Sequence, residues 1–344
     1  MRRQGRVARV VGSMVVCALA ACGGSEAGTD PVPSSGLTTP PPSNDDTGAA
    51  PTTPAPTGPV DGAPGAPGAP CTGKPALKGD IEITVASGGR NRSVKVHVPP
   101  GYDPTKPTPV VLDFHGLSMT AATQDLLSRM NAKADQARFL SVHAEGVGLQ
   151  QSWNAGACCG EAAQTKVDDV AHVGRILDEL EARLCVDTKR VFATGMSNGA
   201  ALSHRLACEL SSRIAAIAPV AHVITVPQSS CKPSRPVSVL SFNGTSDGLV
   251  PYGGNGLFPS VADTMRLWAT LDGCAATPRE TSKKGDVTCT AFDGCKAGNE
   301  VRLCTVQGGG HTWPGGAPAG LGKTTNDISA TDAMWDFFVK HPMP

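Results

Sequence analysis

The chain has 344 residues, a formal net charge of +0, 40% hydrophobic residues and 17% charged ones. That apolar content supports a globular core, and the even charge balance excludes the basic excess by which nucleic-acid-binding proteins are recognised. Many of the 29 prolines crowd into the first 70 residues, so an unusual leader precedes an ordinary domain.

Residues 1–21 read as a processing signal. Arg2, Arg3, Arg6 and Arg9 give a positive start, and Val10–Ala20 is an apolar stretch, shorter than the ~20 residues that cross a bilayer. It ends in Leu19-Ala20-Ala21-Cys22, which resembles the lipobox of bacterial lipoproteins. The resemblance implies cleavage before Cys22 and a lipid on its sulfur. The protein is then secreted and held to the bacterial cell envelope, touching membrane through the lipid anchor only. Residues 22–70 are the anchored Pro/Gly/Ala-rich linker, closing in Gly62-Ala63-Pro64-Gly65-Ala66-Pro67 and one more such triplet. Such a segment lacks the apolar surface to offset its ordering entropy and is expected to be a disordered tether. A regulatory or glycosylated segment is the rival reading.

Residues 71–344 suit one catalytic domain. Ile81–Val85 and Ser93–Val98 alternate as the strands of a hairpin turning through Gly88-Gly89-Arg90-Asn91. Val110–Phe114 is a continuous apolar run, the mark of a strand buried on both faces, and Phe139–Val142, Val191–Thr194, Ile214–Val220 and Val237–Phe242 are similar, while Val301–Val306 reads as a further strand. Between them Val170, Val173, Ile176, Leu177, Leu180 and Leu184 fall at helical spacing, as do Leu202, Leu206 and Leu210. This alternation predicts an α/β fold: a mostly parallel central sheet with helices on both faces. No long apolar helical insertion interrupts His222–Pro236, so no lid and no deep acyl tunnel are expected, and short acyl groups should be preferred.

Of twelve cysteines, Cys17 leaves with the signal and Cys22 carries the lipid, leaving ten. An even number in an exported domain predicts disulfides. No C-x-x-C pair or His at ligand spacing supports zinc, so no metal or cofactor is expected. Cys208–Cys231 and Cys274–Cys295 are the pairings favoured. Cys158 and Cys159 are adjacent, and partners elsewhere are the ordinary expectation, although a bond between the two stays open.

The strand Val191–Thr194 runs into Gly195-Met196-Ser197-Asn198-Gly199 and then a helix. This is G-x-S-x-G in its required context, where a sharp turn projects the serine hydroxyl above the sheet. Serine needs a base. His311 supplies it, set between glycines in Gly308-Gly309-Gly310-His311-Thr312-Trp313-Pro314-Gly315-Gly316. His222 comes too early to leave room for an acid between them, and His341 lies at the C-terminus. Asp247, in the loop after the strand ending at Phe242, is the acid that orients the imidazole. Ser197 Oγ should then reach one ring nitrogen of His311 and Asp247 the other. The oxyanion donors are the amides of Asn198 and Leu117, the latter in the loop His115-Gly116-Leu117-Ser118. His115 is read as structural, and Asp168-Asp169 as helix caps.

Phe114-His115-Gly116, Ser152-Trp153 with Cys158-Cys159-Gly160, Val167-Asp168-Asp169-Val170, the Ser197 elbow, Gly244-Thr245-Ser246-Asp247 and the His311 loop together resemble the α/β-hydrolase family that groups polyhydroxybutyrate depolymerases with bacterial feruloyl esterases. The resemblance runs over roughly residues 77 to 340 and implies a serine carboxylic-ester hydrolase. Its substrates would be polymeric or small esters: polyhydroxybutyrate-like polyesters, or feruloyl and acetyl esters of polysaccharides. Ala200 stands where such elbows often carry a second glycine, a small departure. Trp153 and Trp313 are candidates to wall the substrate site or, equally, to lock its loops by packing. A monomer is expected. The alternatives are a peptidase on the same fold, or a binding protein that has lost catalysis. The intact triad opposes the second, and the lack of a recognisable lid or propeller domain lowers the first.

Overall fold

In the computed structural model, which describes residues 71–344, β1 (Gly79–Ser87) and β2 (Arg90–Val98) form the expected antiparallel hairpin. Its two-residue turn is Gly88-Gly89, both at positive φ (56° and 72°), the conformation that matches strand twist in a tight hairpin. The signal, Cys22 and the linker lie outside the described residues.

The apolar runs become β3 (Thr108–Phe114), β4 (Leu140–Ala144), β5 (Val186–Met196), β6 (Ala216–Val220), β7 (Ser238–Gly244) and β10 (Val301–Val306). A second hairpin, β8 (Pro278–Lys284) and β9 (Val287–Phe292), closes the far edge. The ten strands lie in the order β1-β2-β4-β3-β5-β6-β7-β10-β9-β8. The six central strands from β4 to β10 are mutually parallel, and the hairpins run antiparallel at both edges.

Side chains alternate across this sheet because a strand repeats every two residues. Val110, Leu112, Phe114, Val191 and Ala193 face a core covered by α4 (Asp169–Arg183), α5 (Asn198–Glu209) and α6 (Val261–Leu271). Val111, Phe192, Leu240 and Phe242 face a second core under α1 (Ala121–Ser128), α2 (Met130–Ala137) and α7 (Ala330–Phe338). Phe192 stacks on Phe338 there, with ring centroids 4.5 Å apart. Helices thus cover both faces, as the sequence predicts. No helix forms between β6 and β7, which matches the reading of that stretch as a short loop.

Five disulfides take up the ten described cysteines: Cys71–Cys185, Cys158–Cys159, Cys208–Cys231, Cys274–Cys295 and Cys289–Cys304. Both favoured pairings form. The adjacent pair bonds to itself, against the ordinary expectation of distant partners.

Candidate active site

The parallel strands deliver the predicted residues to one end of the sheet, their carboxyl ends, where α/β sites form. Ser197 ends β5 and caps α5, with φ 56° and ψ −122°. A serine at positive φ is strained by roughly 1–3 kcal/mol. The turn holds because Ser197 N–H donates to Val220 O at 3.0 Å and because the residues two positions away on either side, Gly195 and Gly199, lack side chains. A Cβ on Gly195 would strike the Phe114 carbonyl, and one on Gly199 would strike the carbonyls of Phe114 and His115. The elbow therefore packs directly against the end of β3.

The residues predicted as acid and base are held in a defined geometry. Asp247 is 7% exposed and His311 2%. His311 Nδ1–H donates to Asp247 Oδ2 at 2.8 Å. Asp247 Oδ1 accepts the amides of Leu249 at 2.9 Å and Val250 at 2.8 Å. The carboxylate is thus fixed, and it fixes the imidazole tautomer with Nε2 left to act as a base. The two loops that carry them are stitched together. Ser246 N–H donates to Gly309 O at 2.9 Å, Gly308 N–H to Thr245 Oγ1 at 2.8 Å and Thr245 N–H to Val306 O at 3.0 Å. Gly244 makes this possible, since a Cβ there would collide with the Gly309 backbone.

Among the described residues, neither Ser197 Oγ nor His311 Nε2 has a hydrogen-bond partner, so the expected direct contact between them is not made. Catalytic hydrogen bonds are commonly long before substrate arrives and tighten with it bound. The amides of Leu117 and Asn198 are likewise unpaired. Asn198 is the first residue of α5, where the helix itself offers its N–H no acceptor.

His115 is fully buried. Its Nε2 accepts from Gly146 N at 2.9 Å and its Nδ1–H donates to Gly116 O at 2.8 Å. Burial holds its pKa down at about 4, so it is a neutral strut under the Leu117 loop, as read from the sequence. His222, at the end of β6, lies near the Asp247–His311 pair and within 3.8 Å of Cys158 Sγ. Burial lowers its pKa to about 4.

The two tryptophans require a correction. Both are 0% exposed, so neither ring presents a surface to a substrate. Trp153 Nε1–H donates to His115 O at 3.0 Å, and its ring meets Phe114 edge-on at 5.3 Å. Trp313 Nε1–H donates to Thr331 Oγ1 at 3.0 Å. Each indole has its polar atom satisfied inside the core, which leaves a packing role: Trp153 under the oxyanion loop, Trp313 under the His311 loop.

Asp168 caps α4 as expected, accepting Ala171 N–H at 2.9 Å. Asp169 does something the sequence did not reveal. It is buried, pairs with buried Arg92 at 2.6 Å and accepts Asn154 N–H at 2.7 Å. Arg92 in turn lies 4.9 Å over the Trp153 ring. A groove of about 720 Å³ opens beside this brace, lined by Asn154, Gly156, Val170, Arg205 and Val226 among others. None of Ser197, Asp247 or His311 lines it.

Comparison with known proteins places this geometry in a family context. The family model described as esterase PHB depolymerase matches residues 92–237. Feruloyl esterase B of Piromyces equi is 34% identical over 236 residues, 64% of this chain, but the match spans only 42% of that relative's length. The putative esterase NocK of Nocardia uniformis subsp. tsuyamanensis is 31% identical over 285 residues, 75% of this chain and 81% of that protein. Among solved structures, an acetyl xylan esterase from Aspergillus awamori superposes with a TM-score of 0.55 at 14% identity, covering 76% of this chain and 99% of its own. Thermogutta terrifontis esterase 2 gives 0.50 at 17%, covering 77% and 95%. At these identities the structural matches show the fold alone.

Proposed function

This chain belongs to the esterase family that groups polyhydroxybutyrate depolymerases with feruloyl esterases, and from that premise we propose that it hydrolyses carboxylic esters through Ser197, His311 and Asp247. The observation that carries the proposal is the oriented Asp247–His311 pair, 2.8 Å apart, at the same end of the sheet as the Ser197 elbow.

In the proposed reaction His311 Nε2 removes the Ser197 proton as Oγ attacks the ester carbonyl. The charge that develops on the carbonyl oxygen is met by the amides of Leu117 and Asn198. His311 then returns the proton to the departing alcohol, leaving an acyl group on Ser197. Water, activated by the same imidazole, releases the acid. Asp247 holds Nδ1–H throughout and stabilises the imidazolium.

The substrate class we propose is a short-chain polyester of the hydroxybutyrate kind, or feruloyl or acetyl esters carried by a polysaccharide. The names of the relatives support it. The five disulfides support an oxidising compartment, and with Leu19-Ala20-Ala21-Cys22 they motivate the proposal that the protein is exported and lipidated on Cys22. A panel of p-nitrophenyl esters, methyl ferulate, polyhydroxybutyrate film and peptide anilides tests the activity. Cleavage of anilides in preference to every ester would turn the reading toward a peptidase, and inertness toward all would remove catalysis altogether. For the anchor, Cys22→Ser should release the protein from the membrane fraction or block maturation. An unchanged membrane pool counts against it.

A further inference from the structure

Four of the five disulfides join residues 15 to 114 positions apart. Each restricts the unfolded chain by closing a loop, more so for longer loops. The fifth joins neighbours, Cys158 and Cys159, one position apart. It closes no loop, so that source of stability is absent and its role must be local.

Its surroundings are specific. On one side Cys158 Sγ lies 3.8 Å from His222 Nε2, next to the Asp247–His311 pair. On the other side Cys159 N–H donates at 3.1 Å to Trp153 O, the same carbonyl that accepts Asn198 Nδ2–H at 2.9 Å. The next residue, Gly160, presses on the oxyanion loop: a Cβ there would stand 3.0 Å from Leu117 Cδ1. Ala157 N–H donates to Thr225 O at 3.1 Å, tying the turn to the segment that leaves β6. The bridge therefore sits in a turn that meets His222 at one end and, through Gly160, abuts Leu117 at the other. Cys158 is 6% exposed, whereas Cys159 is partly open to solvent. Sulfur is polarizable and makes an apolar contact surface.

On the reading of Ser197 as the nucleophile of an esterase, we propose that the Cys158–Cys159 bridge is a specificity-determining wall of the ester site. It is a stiff sulfur-faced surface between the Leu117 loop and His222 that limits the acyl group seated beside Ser197 and steadies the Asn198 amide. The bridge takes no part in bond making; it acts by shape and position.

The test is the double variant C158A/C159A in the otherwise intact protein, with the four remaining bridges verified by mass. kcat/KM is measured for p-nitrophenyl acetate, butyrate and octanoate. The acetate value should fall by about tenfold while the octanoate-to-acetate ratio rises by about fivefold or more, the scale on which a pocket contact discriminates small groups. C158S/C159S, nearly isosteric, should show the same loss with a smaller change in ratio. C274A/C295A breaks a bridge at the opposite end of the sheet. It should lower thermal stability and leave the ratio unchanged. Values for C158A/C159A within about twofold of the parent at all three chain lengths would overturn the proposal. So would failure of both the alanine and serine pairs to fold, since the bridge would then be a staple. A parent enzyme that hydrolyses none of the esters would instead remove the reading of Ser197 itself, and the wall with it.

Discussion

The side chain of Asn198 grips the backbone of Trp153 from both sides: Oδ1 accepts Trp153 N–H at 2.7 Å and Nδ2–H donates to Trp153 O at 2.9 Å. All of these atoms are buried. The residue next to Ser197 thus sets the Trp153 loop, and its own amide, a proposed oxyanion donor, is held in place by the exchange. Asn198→Ala would strand the buried Trp153 N–H, at about 1–3 kcal/mol, while Trp153 O keeps the Cys159 N–H at 3.1 Å. We expect kcat on a short ester to fall by about 10²-fold, the scale of a lost oxyanion donor, with KM little changed. A rise in KM at constant kcat would show that Asn198 serves ground-state binding instead.

For the triad, Ser197→Ala should lower kcat by roughly 10⁴-fold or more, and Asp247→Asn by a similar factor by favouring the wrong imidazole tautomer. Asp247→Asn should leave stability close to the parent, because Oδ1 remains to accept the Leu249 and Val250 amides. Either variant retaining activity within tenfold would refute the assignment.

The Arg92–Asp169 pair gives a stability test that leaves Ser197, Asp247 and His311 unaltered. Arg92 is 5% exposed and Asp169 0%. Asp169→Ala leaves a buried guanidinium without its partner, which costs about 3–5 kcal/mol, and also frees the Asn154 amide. For a domain of this size that corresponds to a Tm lower by roughly 6–20 °C. A melting curve that superimposes on the parent would show that solvent reaches Arg92 after all.

Acid should destabilise the protein. Burial holds His115, His143 and His222 at about 4, and His172 and His204 at about 3. A histidine whose folded pKa is depressed contributes stability that is present above its unfolded value, near 6.5, and is lost as pH falls through the folded one. Burial also raises Asp113 to about 8 and Asp272 to about 7. These two act the other way, favouring the folded state at low pH and losing that contribution as pH rises through 7 and 8. With His341 also lowered, and Asp169 and His97 raised, six imidazoles outweigh three carboxyls and one imidazole between pH 6.5 and 4, each net proton changing stability on the order of 1.4 kcal/mol per pH unit. Denaturant midpoints at pH 7, 6 and 5 should fall in that order. A midpoint that rises on acidification would mean that these histidines charge without unfolding the chain.

Much of this was legible in the sequence because it rests on short-range rules. The continuous apolar runs marked the parallel strands, and the glycines at 195 and 199 marked the sharp turn at Ser197, where no side chain would fit. Chain order and loop context singled out Ser197, Asp247 and His311 as candidates, and the structure pairs the last two. What escaped lay in tertiary placement. β8 reads Pro-Arg-Glu-Thr-Ser-Lys-Lys, an exposed edge strand with no apolar alternation to announce it. Trp153 and Trp313 looked equally suited to a pocket wall or to a core, because an indole serves both and only burial separates them. Asp169 differs from its neighbour Asp168 by one position in a helix, and that position turns it inward to meet an arginine 77 residues away.

The Cys71–Cys185 bridge has a mechanical meaning. It fastens the first described residue to the amino end of β5, the strand whose other end carries Ser197. Tension drawn along the chain from residues before Cys71 therefore enters the domain at the foot of a central strand, held on both sides by parallel neighbours β3 and β6. It bypasses the β1–β2 hairpin, which at the sheet edge could be peeled one hydrogen bond at a time. A load directed along β5 would meet it in shear, the direction in which a hydrogen-bonded ladder must fail all at once. An enzyme held by its N-terminal segment against flow or against a solid substrate would yield at that bridge only if the disulfide were reduced.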